Sequence, residues 1–302
     1  MQKTLRKLSQ RNETYIAIVL FVLFLLIEVR SKQFFTPNNI VDILSAMVVS
    51  GIFAIGTFMV IISGGIDVSF PALASLSSYA ITKLLLDADY QGGIWLPILM
   101  AIVFGGVLGA FNGFFIGHLG LPALIVTLGS ASVFKGFMQG TLKSVQLAVI
   151  PPGMKDFGTS ALFVETNAES GLTSRMHSSI LVFIVLLIVA WFILRRTMFG
   201  RGIYAIGGNP VSALRAGFSV KWTKFWLYVF VGVVSSLAGL MRTCMMTQRH
   251  PTNMLGMEMN IIAGVVLGGT AITGGAGTLT GCMLGTLLIV VVENSMILIG
   301  VP

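Results

Sequence analysis

The chain is built from apolar stretches long enough to cross a lipid bilayer, and that leaves few folds open. A spanning helix needs about 20 mainly apolar residues. Runs of that kind lie near 14–30, 40–62, 68–86, 94–117, 121–140, 178–195, 223–245, 257–273 and 277–299, the third and eighth short or interrupted. Only 10% of the 302 residues are charged, against roughly 25% in a soluble globule. The expected fold class is therefore an all-α polytopic membrane protein. It is a single transmembrane domain over 1–302, with a bundle of about nine or ten helices. Cys244 and Cys282 lie in apolar or Gly-rich runs and suit small packing residues better than a disulfide or a metal site.

The net charge of +8 invites nucleic acid, but its placement reports topology. Lys3, Arg6, Lys7 and Arg11 sit in an N-terminal tail over 1–13, while Arg195, Arg196, Arg201, Arg215, Lys221 and Lys224 sit in and around a loop over 196–222. These are ten of the 19 basic residues, with only Glu13 opposing them nearby. Basic residues in short membrane-flanking segments mark the cytoplasmic side. The apolar run after the tail continues into Glu28-Val29-Arg30 with no small-residue cleavage site, so it reads as an uncleaved first span entering from the cytoplasm. Five crossings then put the polar segment 142–176 outside, and a sixth returns the basic loop to the side of the tail. The outer segment, nearly balanced in charge and turning at Pro151-Pro152-Gly153, is expected to be a solvated connector with one short helix.

Glycines recur at four-residue spacing. Gly105, Gly109, Gly113 and Gly117 form one stripe, and Gly277, Gly281 and Gly285 another. Such stripes let a neighbouring backbone approach closely and indicate either a tight bundle or a dimer seam. Two Gly-rich breaks also resemble each other: Ser63-Gly64-Gly65-Ile66-Asp67 and Gly268-Gly269-Thr270, each after a similar apolar run. If they correspond, the unit beginning at the second span repeats at the seventh. That odd offset inverts the copy, as in many transporters.

Several chemistries lack their residues. There is no G-x-x-x-x-G-K-[ST] phosphate cradle, so any ATPase is a separate chain. His118, His177 and His250 are isolated, which leaves a zinc hydrolase unsupported, and no G-x-S-x-G elbow occurs. An enzyme, a resident cofactor and a metal are not expected. Asp67, Lys135 and Glu293 are the candidates for a translocation path. Asp67 reads either as a cap for the next helix, which has Pro71 in its first turn, or as a solute contact. Lys135 and Glu293 line the path, pair with each other or sit near an interface. A mid-span Asp or Lys costs about 2.5–3.5 kcal/mol on insertion scales, so such residues need a reason.

The loop FGRGIYAIGGNPVSALRAG at Phe199–Gly217 stands between apolar runs. Asn209 followed by Pro210 is a helix start, and Gly217 a stop. A helix there is far too short to cross a bilayer and barely stable alone. Val211, Leu214 and Phe218 make its apolar stripe, with Ser212 and Arg215 looking away. It must pack on its own protein, in a partner's groove, or on the lipid surface.

The string FGRGIYAIGGNPVSALRAGFSV resembles the cytoplasmic signature of ribose- and galactose-type sugar ABC transporter permeases. There Phe-Gly-Arg, an aromatic residue, Ala-x-Gly-x-Asn and a Gly two residues after Leu-Arg recur together. IISGGIDVS at Ile61–Ser69 and the tract Gly256–Gly285 resemble two further motifs of that family, in the same order. The resemblance implies an inner-membrane permease subunit of a bacterium, its N-terminus cytoplasmic, working as a homo- or heterodimeric pair. Its implied partners are cytoplasmic ATP-binding cassette subunits, an extracytoplasmic sugar-binding protein and a small sugar, with no nucleic acid. The helix at Asn209–Gly217 becomes the coupling helix, with Arg201, Asn209, Pro210, Ala213, Leu214, Arg215 and Gly217 at the site. Gly207 and Gly208 give it a flexible, sharply turned lead-in.

Two departures stand out. Val68-Ser69-Phe70-Pro71 replaces the family's Leu-Ser-Val-Gly and is expected to reshape the start of that span. The family also runs into one further apolar helix where this sequence stops at Val301-Pro302, which implies a shortened bundle. The contrasting function is a stand-alone channel or secondary carrier for a small neutral solute, which needs no cassette and no capped loop helix.

Overall fold

The computed structural model describes residues 12–143, 145–166 and 173–299. The tail cations Lys3, Arg6, Lys7 and Arg11, and the terminal Val301-Pro302, lie outside them. In chain order the helices are α1 (Asn12–Ser31), α2 (Pro37–Ile62), α3 (Phe70–Asp87), α4 (Trp95–Gly113, prolonged by a π turn at Phe114–His118), α5 (Ala123–Gly140) and α6 (Pro152–Thr159). A hairpin, β1 (Ala161–Thr166) and β2 (Thr173–His177), precedes α7 (Ser179–Arg196), α8 (Met198–Gly208) and α9 (Pro210–Arg215). Last come α10 (Val220–Met246), α11 (Met257–Leu267) and α12 (Leu279–Ile299).

Six helices among the described residues are long and apolar enough to span a bilayer: α1, α2, α4 with its π turn, α7, α10 and α12. The other three expected spans depart for a physical reason. α3 is buried nearly all round, so it never has to satisfy lipid and can carry Ser75, Ser77, Ser78 and Thr82. Much of that polarity closes on its own helix: Ser78 Oγ donates to Ala74 O at 2.6 Å and Thr82 Oγ1 to Ser78 O at 2.7 Å. α5 holds Lys135 and several small residues, which lower its hydropathy. The expected eighth span, 257–273, is corrected: helix α11 ends at Leu267. The chain then turns through Gly269, Gly274, Gly275 and Gly277, all at positive φ.

α2, α3 and α10 form the centre, and the largest apolar cluster is built on them. α2 starts on a defined cap, Thr36 accepting from Asn39 N with Pro37 in the first turn. Around this centre the helices close by backbone contact. A Cβ on Gly105, Gly109, Gly113 or Gly117 would lie 2.3–2.7 Å from the carbonyl oxygens of Gly232, Tyr228, Phe225 and Lys221 respectively, one α4 turn per α10 turn. Gly281 and Gly285 meet α11 in the same way, 2.2 Å from Gly268 O and 2.1 Å from Gly264 O. Both stripes are thus seams inside one chain, which answers the alternative of a dimer seam.

The described residues of the segment 142–176 hold more than the one helix expected. α6 provides that helix, and Gly158 at its end presses on the backbone of Cys244 at the end of α10. Beyond it β1 and β2 pair antiparallel, Val164 opposite Arg175 and Thr166 opposite Thr173. The hairpin is fastened to α2, with Asn38 Nδ2 donating to Glu165 O at 3.0 Å and Ser45 Oγ to Arg175 O at 3.1 Å.

A paired substitution tests the seam. Gly109→Val puts side-chain carbon into the backbone of α10 and is expected to destabilise the purified protein by on the order of 1–3 kcal/mol. Gly129→Val points into open space and serves as control. Thermal unfolding in detergent should show a lowered midpoint for the first only; equal midpoints would contradict the seam.

Candidate functional site

The loop between α7 and α10 folds as a two-helix arm. α8 opens on Thr197, whose Oγ1 accepts from Gly200 N at 3.1 Å. The corner is Asn209, extended at φ −161° and ψ 110°, whose Oδ1 accepts from Ser212 N at 2.9 Å to cap α9. Pro210 occupies the first helical position, as its fixed φ and missing N–H favour. α9 closes on paired bonds, Phe218 N to Ala213 O and Gly217 N to Leu214 O, both 3.0 Å, with Gly217 at φ +88°. Those bonds satisfy the last carbonyls through a left-handed residue. α9 is six residues long, shorter than the 209–217 span expected.

The faces of α9 are unequal. Ala213 is buried under the helix, while Val211 and Leu214 are 59% and 63% exposed, as are Arg201 and Arg215 nearby. The apolar stripe read from the sequence is therefore not used up inside this chain.

Gly207 and Gly208 require a correction. Neither provides a flexible lead-in; both are the last residues of α8, and the turn falls at Asn209. Gly207 is required by contact instead. A Cβ there would sit 1.7 Å from Ile62 O and 2.6 Å from Gly275 N. At this point Gly275 N donates to Ile62 O at 2.8 Å, and Gly274 packs on the backbone of Gly64 and Gly207. Three sequence motifs far apart in the chain thus meet as bare backbone: the break after α2, the break after α11 and the end of α8. Tyr204, one turn back on α8, donates to Gly277 O at 3.1 Å and holds the arm to the second break.

Asp67 is 2% exposed and accepts from Ser69 N at 2.6 Å and Ser69 Oγ at 2.7 Å, so its carboxylate organises the start of α3. Asn112 of α4 donates to Ser69 Oγ at 2.9 Å. The Phe70-Pro71 departure is absorbed by α3 simply starting at Phe70. Lys135 is half-buried on α5. Glu293 is exposed on α12 and accepts from Asn260 Nδ2 of α11 at 2.6 Å. Asp67, Lys135 and Glu293 are not brought together, and the partner of Glu293 is an amide rather than Lys135.

Sequence reasoning passed over several polar residues. Thr127 Oγ1 accepts from Val68 N at 3.3 Å and steadies the first break from α5. Tyr228 of α10 is buried beside that break with its hydroxyl unmatched. Arg249, 1% exposed, donates to Ser75 O at 3.0 Å and His250 O at 2.7 Å. Each sits in a run whose pattern carries no sign of a distant partner. Among the described residues no cluster of three or more His, Cys, Asp or Glu could hold a metal ion.

A family model described as branched-chain amino acid transport system / permease component matches residues 39–302. The chain is 30% identical to the L-arabinose ABC transporter permease protein of Azospirillum brasilense, over 96% of this chain and 82% of that protein. It is 32% identical to the ribose import permease protein of Bacillus subtilis, over 93% of this chain and 84% of that one. It is likewise 32% identical to the D-allose transport system permease protein of Escherichia coli, over 88% and 77% of the two chains. No solved structure matches.

The junction yields a prediction with its own control. Gly207→Ala drives a methyl group into the backbone of Ile62, whereas Gly208→Ala meets nothing within 4 Å. Gly207→Ala should lower the thermal midpoint, and Gly208→Ala should stay within about 0.5 kcal/mol of the parent. Equal behaviour of the two would remove the contact from the account.

Proposed function

Because the chain belongs to the family of branched-chain amino acid transport system / permease components, we propose that it is the membrane-spanning subunit of an ATP-binding-cassette importer for a small sugar. As a permease component it is a multi-pass transport subunit and not an enzyme. The sugar reading rests on the names of similar proteins, which import ribose or carry arabinose and allose. The scarcity of charge in the spans agrees with it: an amino acid needs partners for its ammonium and carboxylate, while a neutral polyol needs hydroxyl and backbone groups.

The observation that carries the reading is α9, a fully capped helix whose Val211 and Leu214 are unpacked, on an arm welded to two broken spans. In this reading two cytoplasmic cassette subunits each seat one α9, in this chain and in a second permease subunit. Arg201 and Arg215 favour an acidic rim of that groove and orient docking. ATP binding and hydrolysis shift the cassettes; α9 moves with α8 as one lever, and the junction at Gly207 hands the motion to both breaks. An extracytoplasmic binding protein delivers the sugar. The N-terminus and the arm face the cytoplasm of a bacterium, and the hairpin faces outward. α2 and α11 each lead into a glycine break beside the arm and so run in the same direction, which argues against the inverted repeat expected from the sequence. Irregular backbone at such breaks suits the wall of a solute path. Of the path candidates, Glu293 with Asn260 is the exposed polar pair, Asp67 serves the path through the shape of its break, and Lys135 lies at its edge.

The test is to purify the protein with its cassette subunit and replace Leu214 by Asp and Arg215 by Glu. Both side chains are exposed, so the fold and its melting should be unchanged while co-purification and ATP-dependent sugar uptake fall at least tenfold. Uptake at the parent level would contradict the coupling role. Uptake persisting without any cassette would favour the stand-alone carrier.

A further inference from the structure

A cavity beneath the first break has no part in the coupling scheme. It lies between Gly64–Ile66, the turn Gly120–Leu124 and the first turns of α10, and has a volume of about 340 Å³. Two of its polar side chains, Tyr228 and Lys224, are donors without an acceptor among the described residues. The Tyr228 hydroxyl, on a side chain only 2% exposed, has no hydrogen-bond partner. It lies 3.2 Å from the position a Cβ would take on Gly65, with the Ala123 methyl 3.3 Å from the same point, so glycine leaves this space open. Lys224, one turn before Tyr228, lines the cavity half-buried and has no ionic or hydrogen-bond partner among the described residues. α5 begins behind Pro122 without a side-chain cap, and Ala123 and Leu124 of its first turn line the same space. The amides of such a turn have no acceptor within the helix.

An unmatched buried hydroxyl is destabilising, so donors that line one cavity without an acceptor call for one from outside. The nearby carboxylate Asp67 accepts from Ser69 through one oxygen, Oδ1, and makes no hydrogen bond to the Tyr228 hydroxyl. A cation, a hydroxyl and a helix N-terminus together select an anion with several acceptor oxygens.

We propose that this cavity binds a phosphate group, held by Lys224 Nζ, the Tyr228 hydroxyl and the first-turn amides of α5. The phosphate has two possible sources. The volume fits a small phosphorylated solute. Lys224 also stands only four residues into α10, about 6 Å along the helix. Trp222 and Trp226 on those turns are each 54% exposed, as suits side chains at the headgroup level. A phospholipid headgroup therefore reaches the same donors.

Binding is measured on the full chain in phosphate-free neutral detergent, so the result does not depend on the importer reading. One arm follows thermal unfolding during titration with inorganic phosphate and glycerol phosphate. The other follows retention of phosphatidylglycerol against phosphatidylcholine by native mass spectrometry. One source should bind saturably, with Kd raised about tenfold by Lys224→Gln and several-fold by Tyr228→Phe, which removes only the hydroxyl. Lys221→Gln, a neighbouring cation outside the cavity, should leave Kd unchanged. Binding in the first arm identifies a soluble phosphate, and binding in the second alone identifies the lipid. The proposal is overturned if no source binds, if Tyr228→Phe and Lys224→Gln bind as the parent does, or if Lys221→Gln weakens binding equally.

Discussion

The structure turns on a contact between main chains. At Gly207 three segments approach so closely that no side chain fits, and a single hydrogen bond from Gly275 N to Ile62 O joins the two breaks beside it. Side chains adjust to one another by changing rotamer, whereas backbones in contact move together or not at all. A loop that would otherwise hang from two spans becomes a rigid arm. In the proposed coupling, a push on α9 has a defined destination, the two places where the helices are interrupted.

The same economy of side chains holds the bundle. Between helices in lipid there is no hydrophobic gain to drive association, so close packing and hydrogen bonds must do it. Gly105, Gly109, Gly113 and Gly117 supply that along α10, and Gly281 and Gly285 along α11. With lipid facing the outer helices, the enclosed α3 is free to carry serines that would be costly outside. Its low apolarity marks its central place.

Local signals in the sequence were read correctly where they act locally. Asn209, Pro210 and Gly217 act within one turn of where they stand, and α9 forms between them. The glycine stripes announced seams, though not which helix would face them. What escaped depended on distant contacts. α8 contains four glycines in eleven residues, a poor helix by propensity, and it forms because those glycines let Ile193, Ile62 and Gly275 come near. For the same reason Gly207 is a contact where the sequence suggests a flexible, sharply turned lead-in. The hairpin escaped because its strands carry mixed, mostly exposed residues and are held to α2 by Asn38 and Ser45, more than 100 positions away. Of the polar residues in the spans, Asp67 is legible in part: Ser69 is the cap position of α3, and Asp67 accepts from it. Tyr228 and Lys224 are not, because only folding places them beside Gly65.

The central claim is that α9 stands on the cytoplasmic side as a surface another subunit grips. Val211 is exposed on the apolar stripe of α9, and the native Cys244 and Cys282 are buried and unpaired. A Val211→Cys variant labelled with a membrane-impermeant maleimide therefore reports on the docking face of α9 alone. Labelling is expected in inside-out vesicles, absent in sealed right-side-out vesicles, and suppressed when the cassette subunit is added. Labelling from the outer face, or undiminished labelling with the cassette bound, would contradict the account.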